Sequence, residues 1–332
     1  MPAEHSADLD VVGIGNALVD VLSTGTDADL ESLGLTRGTM ALIDESRMAD
    51  LYAAMGPGTE VSGGSAANTI AGIASLGGRA HYIGRVRDDI LGRVFAHDIR
   101  SIGVGYTNEL AADGPATGCC LILVTPDGER TMNTFLGASS LLGPDDLDAD
   151  VIRRGQVTYL EGYLFDQPPA QEAFRAAAHL AHEAGREVAL TLSDLFCVER
   201  HREPFLELVE HHVDVLFANT EEILALYRVD DFDAAVAAVR SHCPLAVLTR
   251  GALGAAIVTP EEIVEVPAKP VDVVDTTGDG DLYAAGFLFG RTRGESLATC
   301  GRLGAVAASE IISHLGPRPV EDLAVLAEPV LG

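Results

Sequence analysis

The sequence predicts an α/β protein: a mostly parallel sheet covered by helices on both faces. Three observations lead there. Short, β-branched apolar runs alternate with amphipathic stretches along most of the 332 residues. With 47% hydrophobic residues, the chain can bury a large core. One hairpin-like region breaks the alternation and reads as a separate small β element.

The elements follow in order. LDVVGIG (9–15) reads as a buried first strand. VTYLEGY (157–163), EVALTL (187–192), VDVLFAN (213–219) and LAVLTR (245–250) read as four more. PAQEAFRAAAHLAHEAG (169–185) has a helical apolar period and closes on a C-cap-like glycine, and FDAAVAAVRSH (232–242) is a second helix. CCLILVTPDGERTMNTF (119–135) sets two strand-like runs around Pro126-Asp127-Gly128, a hairpin signal. The segment from 20 to 45 lacks a long helical period. The two pieces predict a β lid, within 20–45 and 105–136, over one edge of a single domain spanning 1–332.

Composition narrows the function. The opening MPAEHSADLD is polar and acidic, unlike a signal peptide, and no apolar run approaches the roughly 18 residues that span a bilayer. Five cysteines without a CxxC fit a reduced, cytoplasmic setting and no zinc site. A net charge of −28 disfavours nucleic acid and anionic membrane as partners. Lys269 is the one lysine and stands between Ala268 and Pro270, so neither a Walker loop nor a protein-kinase lysine is present.

Four stretches carry candidate chemistry. In VSGGSAANTIAGIASLGG (61–78), Gly63 and Gly64 make a flexible turn, Ser65 is placed to N-cap, and Asn68 falls in the first turn of a small-residue helix. An ordinary loop-to-helix junction has the same look. In DTTGDGDLYAAGFLFG (275–290), Gly278 and Gly280 permit a tight turn whose free N–H groups and helix dipole converge on an anion site. Asp281 stands beside that site, where a carboxylate can take a proton from an attacking hydroxyl or simply cap the helix. FANTEEIL (217–224) puts Asn219 and Glu222 at the carboxyl end of a strand, where open α/β sheets bind ligands. A neutral oxygen with a carboxylate suits magnesium held through water. TRGALGA (249–255) is a glycine-bearing loop able to approach a nucleotide.

Taken together, GGSAANTIAGIASLGGRAHYIGRVRDDILG (63–92) and DTTGDGDLYAAGFLFG resemble the two signatures of the ribokinase-like, phosphofructokinase-B type kinases, in the right order and over nearly the whole chain. The resemblance implies a three-layer α/β/α sandwich with a β lid, and ATP-dependent phosphorylation of a hydroxymethyl group. It assigns Asp281 as general base and the Gly278, Asp279 and Gly280 backbone, up to Asp281, as the anion hole. Asn219 and Glu222 match NxxE, associated with magnesium and phosphate, and Thr249, Gly251 and Gly254 match the TxGxxG nucleotide loop. Asn16, Asp20, Gly63, Gly64 and Asn68 match substrate-hydroxyl contacts, and Asp89 with Gly92 matches DxxG. ATP and Mg2+ are the implied cofactors, with room for a monovalent cation such as K+. The implied state is a monomer or homodimer acting on a small molecule.

One residue departs from the pattern. The family usually has a small residue between the glycines, where this chain has Asp279. A carboxylate facing the phosphates would oppose them, so its expected direction is outward. Within the family, GNALVDVL, ERTMNTF and YLEGYLFD look most like adenosine-kinase-like members, with Asp20 chelating a vicinal diol. Ribosides and free sugars share that diol. A riboside kinase, a sugar kinase for ribose or fructose, and a silent sensor on the same fold stay open. Phe135, Phe165 and Phe196 are the candidates for walls around a base.

Overall fold

The computed structural model describes residues 7–332; the first six residues of the polar opening stretch lie outside the described residues. In chain order the strands are β1 (Leu9–Ile14), β2 (Leu18–Thr24), β3 (Met40–Leu42), β4 (Gly58–Gly63), β5 (Ala80–Ile83), β6 (Gly118–Val124) and β7 (Arg130–Phe135). There follow β8 (Gly155–Glu161), β9 (Glu187–Thr191), β10 (Val215–Asn219), β11 (Leu245–Thr249), β12 (Ala255–Val258) and β13 (Ile263–Val266). They form an eight-stranded sheet, ordered β13-β12-β11-β10-β9-β8-β1-β5, and a five-stranded sheet, ordered β3-β7-β6-β2-β4.

The large sheet is parallel from β5 to β11 and antiparallel at its β12–β13 edge. Residues alternate between its faces, so β1 sends Val11 into one core and Val12 and Ile14 into the other. Helices Ser65–Ser75, Asp279–Arg291 and Leu297–Ile311 cover the first face. Helices Pro168–Glu183, Leu195–His212, Thr220–Tyr227 and Phe232–Val239 cover the second. This is the predicted α/β/α sandwich. Pro168 opens its helix where a missing N–H costs nothing.

The small sheet is the lid. Its β6–β7 hairpin turns at Gly128, where Thr125 N–H donates to Glu129 O at 2.9 Å. It also uses β4, a Gly- and Glu-bearing segment without a strand signal, which pairs with β2 along its whole length. Residues 105–117, expected within the lid, hold no strand; they bridge to the core at His81–Gly105 and Arg87–Ala111, and Tyr106 is buried in it against Tyr82 and Phe95. Three residues, Gly15 to Ala17, separate the end of β1 from the start of β2. The carboxyl edge of the large sheet therefore faces the lid, where a ligand site is expected. Among the described residues, no helix is long and apolar enough to cross a membrane.

Candidate active site

Helix Asp279–Arg291 begins after Gly278, whose φ of 83° lies in the left-handed region that side chains avoid. Asp281, on its first turn, receives two hydrogen bonds from the other signature. Ser65 Oγ donates to Asp281 Oδ1 at 2.6 Å, and Asn68 Nδ2 donates to Oδ2 at 3.0 Å. The expected N-cap role of Ser65 is corrected here. Gly64 is the cap, at φ 101°, and Ser65 is the first helical residue with its hydroxyl turned to Asp281. A Cβ at Gly64 would meet Asn16 O at 2.1 Å, so the turn requires glycine. Burial pushes Asp281 up to about 6, with the Ser65 and Asn68 bonds opposing, the Asp279 charge adding, and Arg318 opposing. Such a carboxylate is ionised at neutral pH and more basic than an exposed one.

Asp279 is exposed. Its Oδ1 accepts the N–H of Gly280 at 2.7 Å. The orphan amides of a helix start attract the nearest carboxylate, and here that carboxylate is the residue's own neighbour. One donor of the expected anion hole is thus engaged by the chain itself.

Asp20 lies on β2 of the lid, 7% exposed and stacked over Gly63, where a Cβ would come within 2.4 Å of the carboxyl carbon. Burial raises Asp20 to about 6, against the charges of Arg318 and Arg130. Asn68 Oδ1 is buried without a partner. Asn16 is placed differently from the expected hydroxyl contact. Its Nδ2 donates to Glu161 Oε1 at 2.8 Å and its Oδ1 accepts from Ser139 Oγ at 2.9 Å. The phenylalanines do not gather at Asp20 either. Phe135 alternates with Thr134 on β7 and points into the core behind the lid. Phe165 stacks on Phe205 at 4.7 Å in the second core, and Phe196 is 65% exposed. The lid face that carries Asp20 is instead aliphatic and thiol-bearing. Cys120 sits opposite Asp20, and Ile122 sits between Leu22 and Met132.

Three residues escaped sequence reasoning. Glu161, 1% exposed at the end of β8, accepts from the N–H groups of Asn16 (3.2 Å) and Ala66 (2.8 Å), and burial raises it to about 7. Arg130, on lid strand β7, brings Nη1 within 3.1 Å of Asp275 Oδ2, three residues before Gly278. Both side chains are nearly fully buried. Arg318 donates from Nη1 to Ala67 O at 2.7 Å and from Nε to Ser62 O at 3.0 Å. A lone acid at the end of an apolar strand was a faint signal for Glu161; the arginines had none.

On the nucleotide side, Asn219 pairs with Thr249 across β10 and β11. Asn219 and Glu222 form a reciprocal cap. Asn219 Nδ2 donates to Glu222 Oε1 at 2.7 Å, and Glu222 N–H donates to Asn219 Oδ1 at 2.9 Å. Burial raises the Glu222 carboxyl to about 7, and the charges of Asp194 and Asp279 add to it. Gly251 and Gly254 bracket a single 3-10 turn after Thr249, at φ 55° and 87°. Asp89 serves the lid root, accepting from Gly92 N–H (2.8 Å), Thr117 N–H (2.9 Å) and Thr117 Oγ1 (2.7 Å).

The two signatures therefore meet at one carboxylate, on the lid-facing edge of the sheet. The pattern of the pfkB family carbohydrate kinases matches residues 28–323. The chain belongs to the pfkB family. The kinase superposes on the adenosine kinase from Sinorhizobium meliloti with a TM-score of 0.90 and 51% identity, over 97% of this chain and 99% of that one. It superposes equally on a probable sugar kinase protein from Rhizobium etli CFN 42, at TM-score 0.90 and 48% identity, over 97% and 98%. The adenosine kinase of Saccharomyces cerevisiae is 27% identical over 92% of this chain and 96% of its own length. The kinase is a phosphotransferase with a hydroxyl acceptor, of the nucleoside and carbohydrate class, and its family implies ATP and Mg2+.

Proposed function

We propose that the kinase phosphorylates the primary hydroxyl of a nucleoside, adenosine first, with Asp281 as general base. The observation that carries the choice is the lid face around Asp20. A carboxylate suited to a vicinal diol sits beside an apolar row of Leu22, Cys120, Ile122 and Met132. A free sugar has no use for that row, whereas a nucleobase buries flat apolar surface against it. The 51% likeness to a bacterial adenosine kinase supports the same reading. In it, Asp20 and the buried Asn68 Oδ1 hold the ribose hydroxyls, and Asp281 takes the proton of the 5′ hydroxyl. Arg130 adds positive charge from the lid beside the anion-hole turn. The Gly278–Asp281 amides receive the transferring phosphoryl group once the Asp279 carboxylate leaves Gly280.

The charges of Asp194 and Asp279 reach Glu222, and no group of three or more acidic, His or Cys side chains among the described residues could hold a metal by itself; Asn219 and Glu222 would hold a divalent cation that arrives with the phosphates through its waters. When bound, Mg2+ neutralises charge on the phosphates during transfer. Potassium dependence and a monomer or homodimer state in the cytoplasm complete the proposal, the five buried free thiols being in keeping with a reducing compartment.

A sugar kinase is the second reading, supported by the probable sugar kinase from Rhizobium etli at 48% identity. A panel of adenosine, other ribosides, ribose and fructose, read as ADP formed with and without potassium, decides between them. Higher kcat/KM for a free sugar than for any riboside would hand the acceptor to the second reading.

A further inference from the structure

Arg318 belongs to neither signature and comes from the loop between helices Leu297–Ile311 and Leu323–Leu331. The loop is built around Glu310, itself 5% exposed. Glu310 Oε1 accepts the N–H groups of Val320 at 2.8 Å and Glu321 at 2.9 Å, and lies 3.0 Å from His314 Nε2. Gly316 N–H adds a bond to Asp275 Oδ2 at 3.2 Å. So anchored, the loop sends the guanidinium under the Ser62–Ala67 turn. Nε and Nη2 donate to Ser62 O, Nη2 also reaches Ser62 Oγ at 3.0 Å, and Nη1 donates to Ala67 O at 2.7 Å. Ser62 lies on lid strand β4, and its N–H and Oγ donate to Asp98 Oδ2 at 2.8 and 2.6 Å. Ala67 lies on the helix whose Ser65 and Asn68 orient Asp281.

We propose that Arg318 is a positioning residue of the acceptor site: by its bonds to Ser62 and Ala67 it ties the edge lid strand β4 to the helix that orients Asp281, and it brings one guanidinium to the site that holds Asp20 and Asp281. This rests on the proposed function, which needs both carboxylates charged at once, one for the diol and one for the proton. Two buried carboxylates without a cation resist that state. Arg318 feels Asp20, Asp98, Asp281 and Tyr82. Asp20 also faces Arg130, with Cys119 and Cys120 beside it. Asp281 also faces Ser65, Asn68 and Asp279, and its charge reaches Tyr159, Glu161 and Tyr163. Burial lowers the Arg318 pKa, yet a guanidinium stays charged where an ammonium loses its proton readily.

The test is the pH profile of kcat/KM for adenosine in wild type, Arg318→Met and Arg318→Lys, from about pH 5 to about pH 9. Arg318→Met should move the acid limb up by about one unit, lose about tenfold at neutral pH and recover to within about threefold at the alkaline end. Arg318→Lys should keep the limb within about 0.3 unit of wild type wherever its ammonium holds its proton. Adenosine binding without ATP, by calorimetry, should show the same shift in the pH at which affinity is lost. A uniform loss across the whole range in Arg318→Met, or equal limbs in the Met and Lys variants, would overturn the proposal and leave Arg318 a packing residue. If Arg318→Met does not fold, Arg318→Gln takes its place with the same expectation. Failure of adenosine on the wild type sinks the acceptor reading instead. An unshifted limb in a variant of an enzyme that does use adenosine sinks Arg318 alone.

Discussion

Ser65 Oγ donates to Asp281 Oδ1 at 2.6 Å across 216 positions of sequence. That bond, with the Asn68 amide on the other oxygen, holds both carboxylate oxygens from the helix of the other signature. Replacing Asp281 by Asn keeps its shape and removes the proton acceptor. The expected result is a fall in kcat of about 10²–10⁴ with ATP affinity little changed. Stopped-flow turnover and ATP titration check it, and near-normal turnover would reduce Asp281 to a helix cap.

Asp279 competes for the anion hole. Its carboxylate occupies the Gly280 amide that a phosphate would use. Asp279→Ala frees the amide and removes a like charge, so ATP should bind about three- to tenfold tighter, with kcat changed by less than about tenfold. Calorimetry with ATP, with and without magnesium, reads the first part. A thousandfold loss of kcat, on the order of 4 kcal/mol, would instead place Asp279 in the chemistry.

Asp20 should report the diol. 2′-Deoxyadenosine leaves a buried carboxylate partly unpaired, which costs about 1–3 kcal/mol, so it should be the poorer substrate by about ten- to a hundredfold. Asp20→Ala should erase most of that difference. The measurement is kcat/KM for both nucleosides on both proteins. Equal values on the wild type would remove Asp20 from the acceptor site.

The ligand-free protein should lose stability as pH rises through neutrality. Asp20 and Asp281 are raised to about 6 and Glu161 to about 7, each by burial. The folded state therefore holds protons that the unfolded chain releases. Their contribution is complete below the ordinary carboxylate range and is lost as pH rises through about 6 to 7. Tm should fall between about pH 5 and about pH 8, and Glu161→Gln should flatten the upper part of that fall. A Tm that rises over the same interval would contradict the sign.

The sequence by itself determined the layers and the signatures. Continuous apolar runs separated by amphipathic stretches admit little else than a covered parallel sheet, and the predicted strands lie within two residues of those observed. Gly64, Gly278 and Asp281 were legible because their roles are local, a backbone angle or a place on a helix turn. Only the tertiary structure decided how the side chains are used. Asn16 turned to Glu161, Ser65 passed over its own helix for Asp281, and Asp279 folded onto Gly280. Strand β4 exists because β2 offered it a partner, not through its own propensity. Arg130, Glu161 and Arg318 reach the site from elements far apart in the chain. Nothing local marks them, because burial beside a distant charge is a property of the folded packing and not of neighbouring residues.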